Sequence, residues 1–308
     1  MTDNPLALRP LDEWRHQGDF FDHQGLRIFA VQSGTADLRP TLLLIHGFPT
    51  ASWDWSGLWE PLARRFRVLT LDLIGYGFSD KPKDFDYRIG AQADLLEAFL
   101  ARHDVREYHV LAHDYGDTVA QELLARHLEG KTRQKLRSIC FLNGGLFPEM
   151  HRARFVQKLL LTPLGPFFAR RMNRKRFGNS FNAVLSKPAS ERELDGFWAL
   201  LRENDGLEVL PKLIRYIPER RANRDRWVGA LEAHNIPLRV IDGADDPVSG
   251  QHMVFHYRKL VPRPDIVLLR GVGHYPQVEA PAETLRHFLE FHDMLPSTLM
   301  HFLEDGKR

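Results

Sequence analysis

The sequence predicts an α/β fold, with a mostly parallel central sheet, helices on both faces and an inserted helical segment. Three observations carry this reading. Short, nearly continuous apolar runs recur at βαβ spacing, as expected of strands buried on both faces. Longer amphipathic stretches alternate with them. The alternation stops after Asn143 and resumes only at Pro237.

In chain order, the expected strands are Leu26 to Val31, Thr41 to Ile45, Arg67 to Leu71, Tyr108 to Leu111, Ser138 to Leu142, Pro237 to Ile241 and Asp265 to Leu269. The expected helices include Trp55 to Arg65, Gly90 to His103, Tyr115 to His127 and Ala282 to Met294. From Phe147 to Val228 the pattern is helical, punctuated by Pro163, Pro166, Pro188, Pro211 and Pro218. This divides the chain into a core of residues 1–146 and 229–308 and a helical cap of residues 147–228. Such a cap would close the carboxyl ends of the strands, where parallel sheets place small-molecule sites.

The chain has 308 residues, 43% hydrophobic and 27% charged, as in a soluble globular protein. A net charge of +2 points to no strongly charged partner, and no nucleic-acid signature, phosphate loop or metal-ligand spacing occurs. The charge is uneven, with 17 Lys/Arg against 9 Asp/Glu between Phe147 and Gly229. The run Arg170 to Arg176 follows the apolar segment Leu159 to Phe168. That pairing fits a solvated basic face or a peripheral contact with a membrane. Pro163 and Pro166 interrupt the segment, and it is too short to span a bilayer. The single cysteine, Cys140, falls in an apolar run, so no disulfide within the chain is expected. Residues Met1 to Gly18 are polar and include Asp3, Asp12 and Glu13, unlike a signal or transit peptide. A cytoplasmic monomer or homodimer is the expectation.

The chemistry is carried by Leu111-Ala112-His113-Asp114-Tyr115-Gly116-Asp117, which reads as strand, sharp turn and helix, with small residues flanking the turn. This is the form of a nucleophile elbow, with Asp114 where Ser usually stands. A carboxylate there is already anionic and can attack an electrophilic carbon directly, forming an ester that must then be hydrolysed. Asp246 follows the strand Pro237 to Ile241, and His274 follows Asp265 to Leu269. Nucleophile, acid and histidine in that order at successive strand ends is the arrangement of α/β-hydrolases. Asp242 and Asp245 compete for the acid role, and the Gly-x-x-Asp spacing favours Asp246. The loop His46-Gly47-Phe48-Pro49 follows the strand Thr41 to Ile45. In that fold, the amides of Phe48 and Tyr115 form the oxyanion hole.

With these motifs in place, the chain from about Phe20 onward resembles the α/β-hydrolase superfamily, in the branch shared by epoxide hydrolases and haloalkane dehalogenases. Asp72-Leu73-Ile74-Gly75-Tyr76-Gly77-Phe78-Ser79 adds to the match. Within the branch it is most similar to the mesoderm-specific transcript group. The matching stretches are His113 to Asp117 with Val119 to Leu123, Asn143-Gly144-Gly145, Arg226 to Leu231 and His274-Tyr275-Pro276-Gln277. The resemblance implies a covalent alkyl-enzyme ester on Asp114, hydrolysed by water that His274 activates while Asp246 orients the ring. It implies no cofactor and no metal, and a small apolar or amphipathic electrophile as substrate.

Leaving-group assistance separates the possible electrophiles. Dehalogenases hold a halide with a Trp after the nucleophile and an Asn or second Trp, whereas here those first two positions are Tyr115 and Phe48. Epoxide hydrolases use a pair of Tyr hydroxyls from the cap, and this cap has only Tyr216. The expectation is therefore an epoxide hydrolase-like enzyme with Tyr216 and Tyr115 as leaving-group acids. The alternatives are a haloalkane dehalogenase-like enzyme, an ester hydrolase, and a non-catalytic relative that binds a membrane surface or partner. No Gly-x-Ser-x-Gly occurs, which weighs against ordinary ester cleavage. Phe167, Phe168, Phe177, Phe181, Trp198 and Leu201 have the spacing of cap packing and are not assigned to the site.

Overall fold

The computed structural model describes residues 5–34 and 39–295. The first four residues of the polar N-terminus and the expected core beyond Leu295 lie outside them. Eight strands form one sheet in the order β1-β2-β4-β3-β5-β6-β7-β8. They are β1 (Asp19–His23), β2 (Leu26–Gln32), β3 (Thr41–Ile45), β4 (Arg67–Leu71), β5 (Glu107–His113), β6 (Lys135–Leu142), β7 (Leu238–Gly243) and β8 (Asp265–Leu269). The pairs β1–β2 and β2–β4 are antiparallel, and the other five are parallel. All seven expected strands are present. Every residue of β3 and β4 is buried, which is why these strands read as nearly continuous apolar runs despite Thr41, Arg67 and Thr70.

Strand β1 was not foreseen. It lies on the sheet edge with no buried residue, and its apolar pair Phe20-Phe21 is adjacent rather than alternating. It is joined to β2 by a tight turn in which Gln24 and Gly25 both have positive φ, the geometry of a type I′ hairpin. The expected helix Trp55 to Arg65 is instead a 3₁₀ turn, Ser52–Trp55, and a short helix, Trp59–Ala63. Gly57, packed on the carbonyl of Leu6, separates them.

Between β6 and β7 the described chain is helical. The helices are Phe155–Leu160, Gly165–Arg170, Arg174–Asn182, Glu191–Arg202, Gly206–Leu213, Tyr216–Ala222 and Arg224–Glu232. Ser190 and Glu193 form a capping box at the start of Glu191–Arg202, whose buried face is Leu194, Phe197, Leu200 and Leu201. Phe197 packs edge-on against Trp53 of the core at 4.9 Å between ring centres. The expected boundary at residues 228/229 falls inside Arg224–Glu232. That helix is fastened to the core, because Trp227 Nε1 donates to Glu122 at 2.8 Å.

Candidate active site

Strand β5 ends at His113 and the helix Tyr115–Leu128 begins two residues later. Asp114 makes the turn between them with φ 47° and ψ −103°, a strained conformation for a residue with a Cβ. The neighbouring strand crowds the turn. A Cβ on Gly116 would lie 2.5 Å from the Ile45 carbonyl oxygen and 2.7 Å from that of His46, so only glycine fits. The Asp114 amide donates to the Leu142 carbonyl at 3.1 Å, which ties the turn to β6. The carboxylate therefore stands at the N-terminal end of a 14-residue helix, where the peptide dipoles favour an anion.

Three strand ends bring the expected residues together. Asp246 Oδ2 accepts from His274 Nδ1 at 2.8 Å, and His274 Nε2 lies 3.9 Å from Asp114 Oδ2. The Asp246 carboxylate is saturated by further donors: the Val248 amide on Oδ1 at 2.7 Å, and the Ser249 amide, Ser249 hydroxyl and Asn143 amide on Oδ2 at 3.1, 2.8 and 3.0 Å. Of the three candidate acids, Asp246 is the one that hydrogen-bonds the His274 ring. Asp245 is exposed, and Asp242 is buried but makes no hydrogen bond to the His274 ring.

The Phe48 amide donates to Asp114 Oδ2 at 3.2 Å. Tyr115 is the first helical residue, so its amide is not used within the helix. His46 Nε2 accepts from the Leu73 amide at 3.0 Å and its Nδ1 faces the Gly47 carbonyl at 3.0 Å. That pairing, with burial lowering its pKa, makes His46 a neutral anchor for the loop. The Tyr275 hydroxyl holds the loop from the other side through the Phe48 carbonyl at 3.3 Å.

The electrostatics separate ionised from neutral carboxyls. Burial alone would raise Asp114, but the His274 ring, Arg220 and His113 outweigh it and hold the carboxyl well below its usual range. Burial likewise opposes the His274 imidazolium, yet Asp246 and Asp114 together raise it well above an ordinary histidine. Asp117 and Asp242, beneath the site, are pushed up by burial and by neighbouring carboxylates, which favours their protonated form. His113, whose Nε2 donates to the His274 carbonyl at 2.8 Å, is lowered to about 3 by burial and by His274, and is a neutral support.

Three groups were not foreseen. Arg220, on Tyr216–Ala222, is 2% exposed. It donates from Nη2 to the Asp114 carbonyl at 3.1 Å and from Nε to Thr118 Oγ1 at 2.6 Å. The same Nη2 is 3.8 Å from Asp114 Oδ1. His151, 3.5 Å from Arg220 Nη1, is lowered to about 3 by burial and the Arg220 charge. Asn143 clamps β7 to the site, with Oδ1 accepting from the Gly243 amide at 2.7 Å while Nδ2 serves Asp246. A sequence signal for these existed in Asn143-Gly144-Gly145. A Cβ on Gly144 would collide with Asp117, and one on Gly145 with Arg220.

The two expected phenols diverge. Tyr216 packs its ring 5.9 Å from Phe48 and feels the Asp114 charge, and its buried hydroxyl has no hydrogen-bond partner. Tyr115 is also fully buried, and its hydroxyl, on the side of Tyr76 and Gln92, likewise has no hydrogen-bond partner among the described residues. Its ring stands edge-on to Tyr216 at 5.1 Å. A cavity of about 320 Å³ reaches the site, lined by Phe48, Pro49, Phe177, Phe181, Leu201, His274 and Tyr275 among others. Phe177, Phe181 and Leu201, left unassigned from the sequence, are thus wall residues.

A mostly parallel eight-stranded sheet, with an acidic residue at the strand–helix elbow and an Asp–His pair at two later strand ends, defines an α/β hydrolase. The description of the α/β hydrolase fold family matches residues 40–281, and the chain belongs to that family. It is 43% identical over 301 residues to the human mesoderm-specific transcript homolog protein, covering 93% of this chain and 89% of that one. It is 40% identical over 271 residues to the putative hydrolase LipZ of Mycobacterium tuberculosis, covering 87% and 93%. Haloalkane dehalogenase DbeA from Bradyrhizobium elkani superposes with a TM-score of 0.74 at 22% identity, over 88% of this chain and 95% of that one, a likeness of fold. Among the described residues no helix is long and apolar enough to cross a membrane.

Proposed function

We propose that this α/β hydrolase opens epoxides through a covalent ester on Asp114. The supporting observation is the pairing of an ionised carboxylate at the elbow with an Asp246-oriented His274 ring 3.9 Å away. In the first step a carboxylate oxygen of Asp114 bonds to an epoxide carbon as the carbon–oxygen bond breaks. The leaving alkoxide takes the proton of Tyr216, whose hydroxyl is otherwise unpartnered. Esterification removes the Asp114 charge, one of the two that hold the His274 proton, so the ring releases that proton, which solvent carries to the Tyr216 phenolate, and the neutral imidazole is then free to act as a base. His274 Nε2 then takes a proton from water, and that water attacks the ester carbonyl. The Phe48 and Tyr115 amides receive the oxyanion. Collapse releases the diol and restores the carboxylate, and His274 keeps the proton it took from water, as at the start of the cycle.

The helical segment 147–228 acts as a cap that supplies Tyr216 and Arg220 and walls off water. No tryptophan lines the cavity, which favours an epoxide over a halide. A panel of epoxides, haloalkanes and esters, run with the wild type and His274→Gln, tests the reading. Epoxide turnover and a trapped adduct of substrate mass on the Asp114 peptide are expected. Turnover of esters alone, with no adduct at Asp114, would overturn it.

A further inference from the structure

The mouth of the cavity carries an unusual surface. Residues 150–190 contain nine Lys/Arg and no Asp or Glu. Arg174 is taken up by Asp195 and Glu191, and Arg170 lies 3.7 Å from Glu208. The other seven have no carboxylate ion pair among the described residues. Six large apolar side chains are exposed in the described chain, and four of them, Phe155, Leu161, Leu164 and Phe167, fall in this segment. Phe155 is 79% and Leu164 61% exposed. The Arg171 guanidinium sits 4.2 Å over the Phe167 ring. These residues lie on and between two consecutive short helices, Phe155–Leu160 and Gly165–Arg170. Arg154, Phe155 and Leu160 also line the cavity that ends at Phe48 and His274.

A merely solvated basic face has no need of protruding hydrocarbon, and a clustered apolar patch on a soluble surface marks a contact. Interleaved apolar and cationic side chains match the interface of an anionic bilayer. There hydrocarbon enters the acyl boundary and cations meet phosphate. With no membrane-crossing helix among the described residues, such a contact is peripheral.

We infer that residues 154–176 form a docking surface for anionic phospholipid membranes, which sets the cavity mouth on the bilayer. If Asp114 is the nucleophile proposed above, the substrate class is then a membrane-dissolved electrophile with an alkyl chain. That extension rests on the proposed function, whereas the docking does not.

The test is vesicle co-sedimentation of the full chain, in wild-type and Asp114→Asn forms. Vesicles are phosphatidylcholine alone or phosphatidylcholine with about one third phosphatidylglycerol. Binding is expected to be at least about tenfold tighter to the anionic vesicles and to weaken with salt. Reversing Lys158, Arg171, Lys175 and Arg176 to Glu should weaken it about a hundredfold or more, since each cation contributes roughly fivefold. Leu164→Ser with Phe167→Ser should weaken it about tenfold with the melting temperature unchanged. Equal binding to both vesicles, or binding indifferent to both sets of changes, would overturn the inference. So would a concentration-dependent dimer in sedimentation velocity that Leu164→Ser with Phe167→Ser disperses, which would assign the patch to a second copy. Vesicle binding by Asp114→Asn, with no epoxide turned over by the wild type, would sustain the docking while removing the proposed chemistry.

Discussion

Arg220→Met should slow one chemical step and spare the other. The guanidinium is buried, holds the carbonyl of the strained elbow, and lies 3.8 Å from Asp114 Oδ1. At an effective dielectric near 20, unit charges at that distance attract by about 4 kcal/mol, an upper bound for the pair. Esterification neutralises Asp114, so this attraction opposes the first step. Attack of water on the ester makes a new anion at the same carbon, so the same cation favours the second step. Methionine keeps the stem volume but removes the charge and one of the two donors to the Asp114 carbonyl, the Asp117 amide remaining at 3.2 Å, at about 1.5–3 kcal/mol of stability for the lost charged hydrogen bond. If a third to a half of the electrostatic bound reaches the hydrolytic transition state, hydrolysis slows by roughly ten- to thirtyfold. Rapid-quench single turnover read by intact mass should show the ester accumulating in Arg220→Met, with formation as fast as in the wild type or faster. Arg220→Lys should fall between the two. Slower ester formation with unchanged hydrolysis, in a variant with a cooperative melt, would refute the reasoning.

Tyr216→Phe should lower epoxide turnover by about a hundredfold, the lower range for a general acid, with the melting temperature unchanged or raised because an unpartnered buried hydroxyl is removed. Unchanged turnover would reassign the leaving-group proton. Asn143→Ala removes a donor to Asp246 and both contacts to Gly243, and should cost about tenfold or more in kcat at little change in KM. Asp117→Asn should raise stability at neutral pH. The folded pKa of Asp117 is raised, so in the wild type the unfolded chain releases this proton first. The wild type therefore loses stability as pH climbs above the unfolded value of about 4 until the folded value is reached. The melting-temperature gap between variant and wild type should widen from pH 4 to pH 7, and a gap independent of pH would contradict a raised Asp117 carboxyl.

The parallel strands were legible because burial on both faces leaves a nearly continuous apolar run, as in Leu42-Leu43-Leu44-Ile45. Strand β1 was not, because an exposed edge imposes no apolar alternation. The Asp114, Asp246 and His274 placements were legible because each follows a strand and the fold collects strand ends at one edge. Arg220 was invisible for the opposite reason. It lies on a helix rich in Arg, Glu219-Arg220-Arg221, and only its tertiary position distinguishes it from its exposed neighbour. The direction of the Tyr115 hydroxyl was equally hidden, since its position in the chain fixes the backbone amide but not where the ring points.

The claim that an Asp114 carboxyl oxygen bonds to substrate is tested most directly by one turnover in H₂¹⁸O with enzyme in excess over an epoxide it accepts. The account expects the heavy oxygen in the side chain of Asp114 and the ordinary oxygen of that carboxylate in the diol. Label appearing in the diol, with none in the Asp114 peptide, would contradict it.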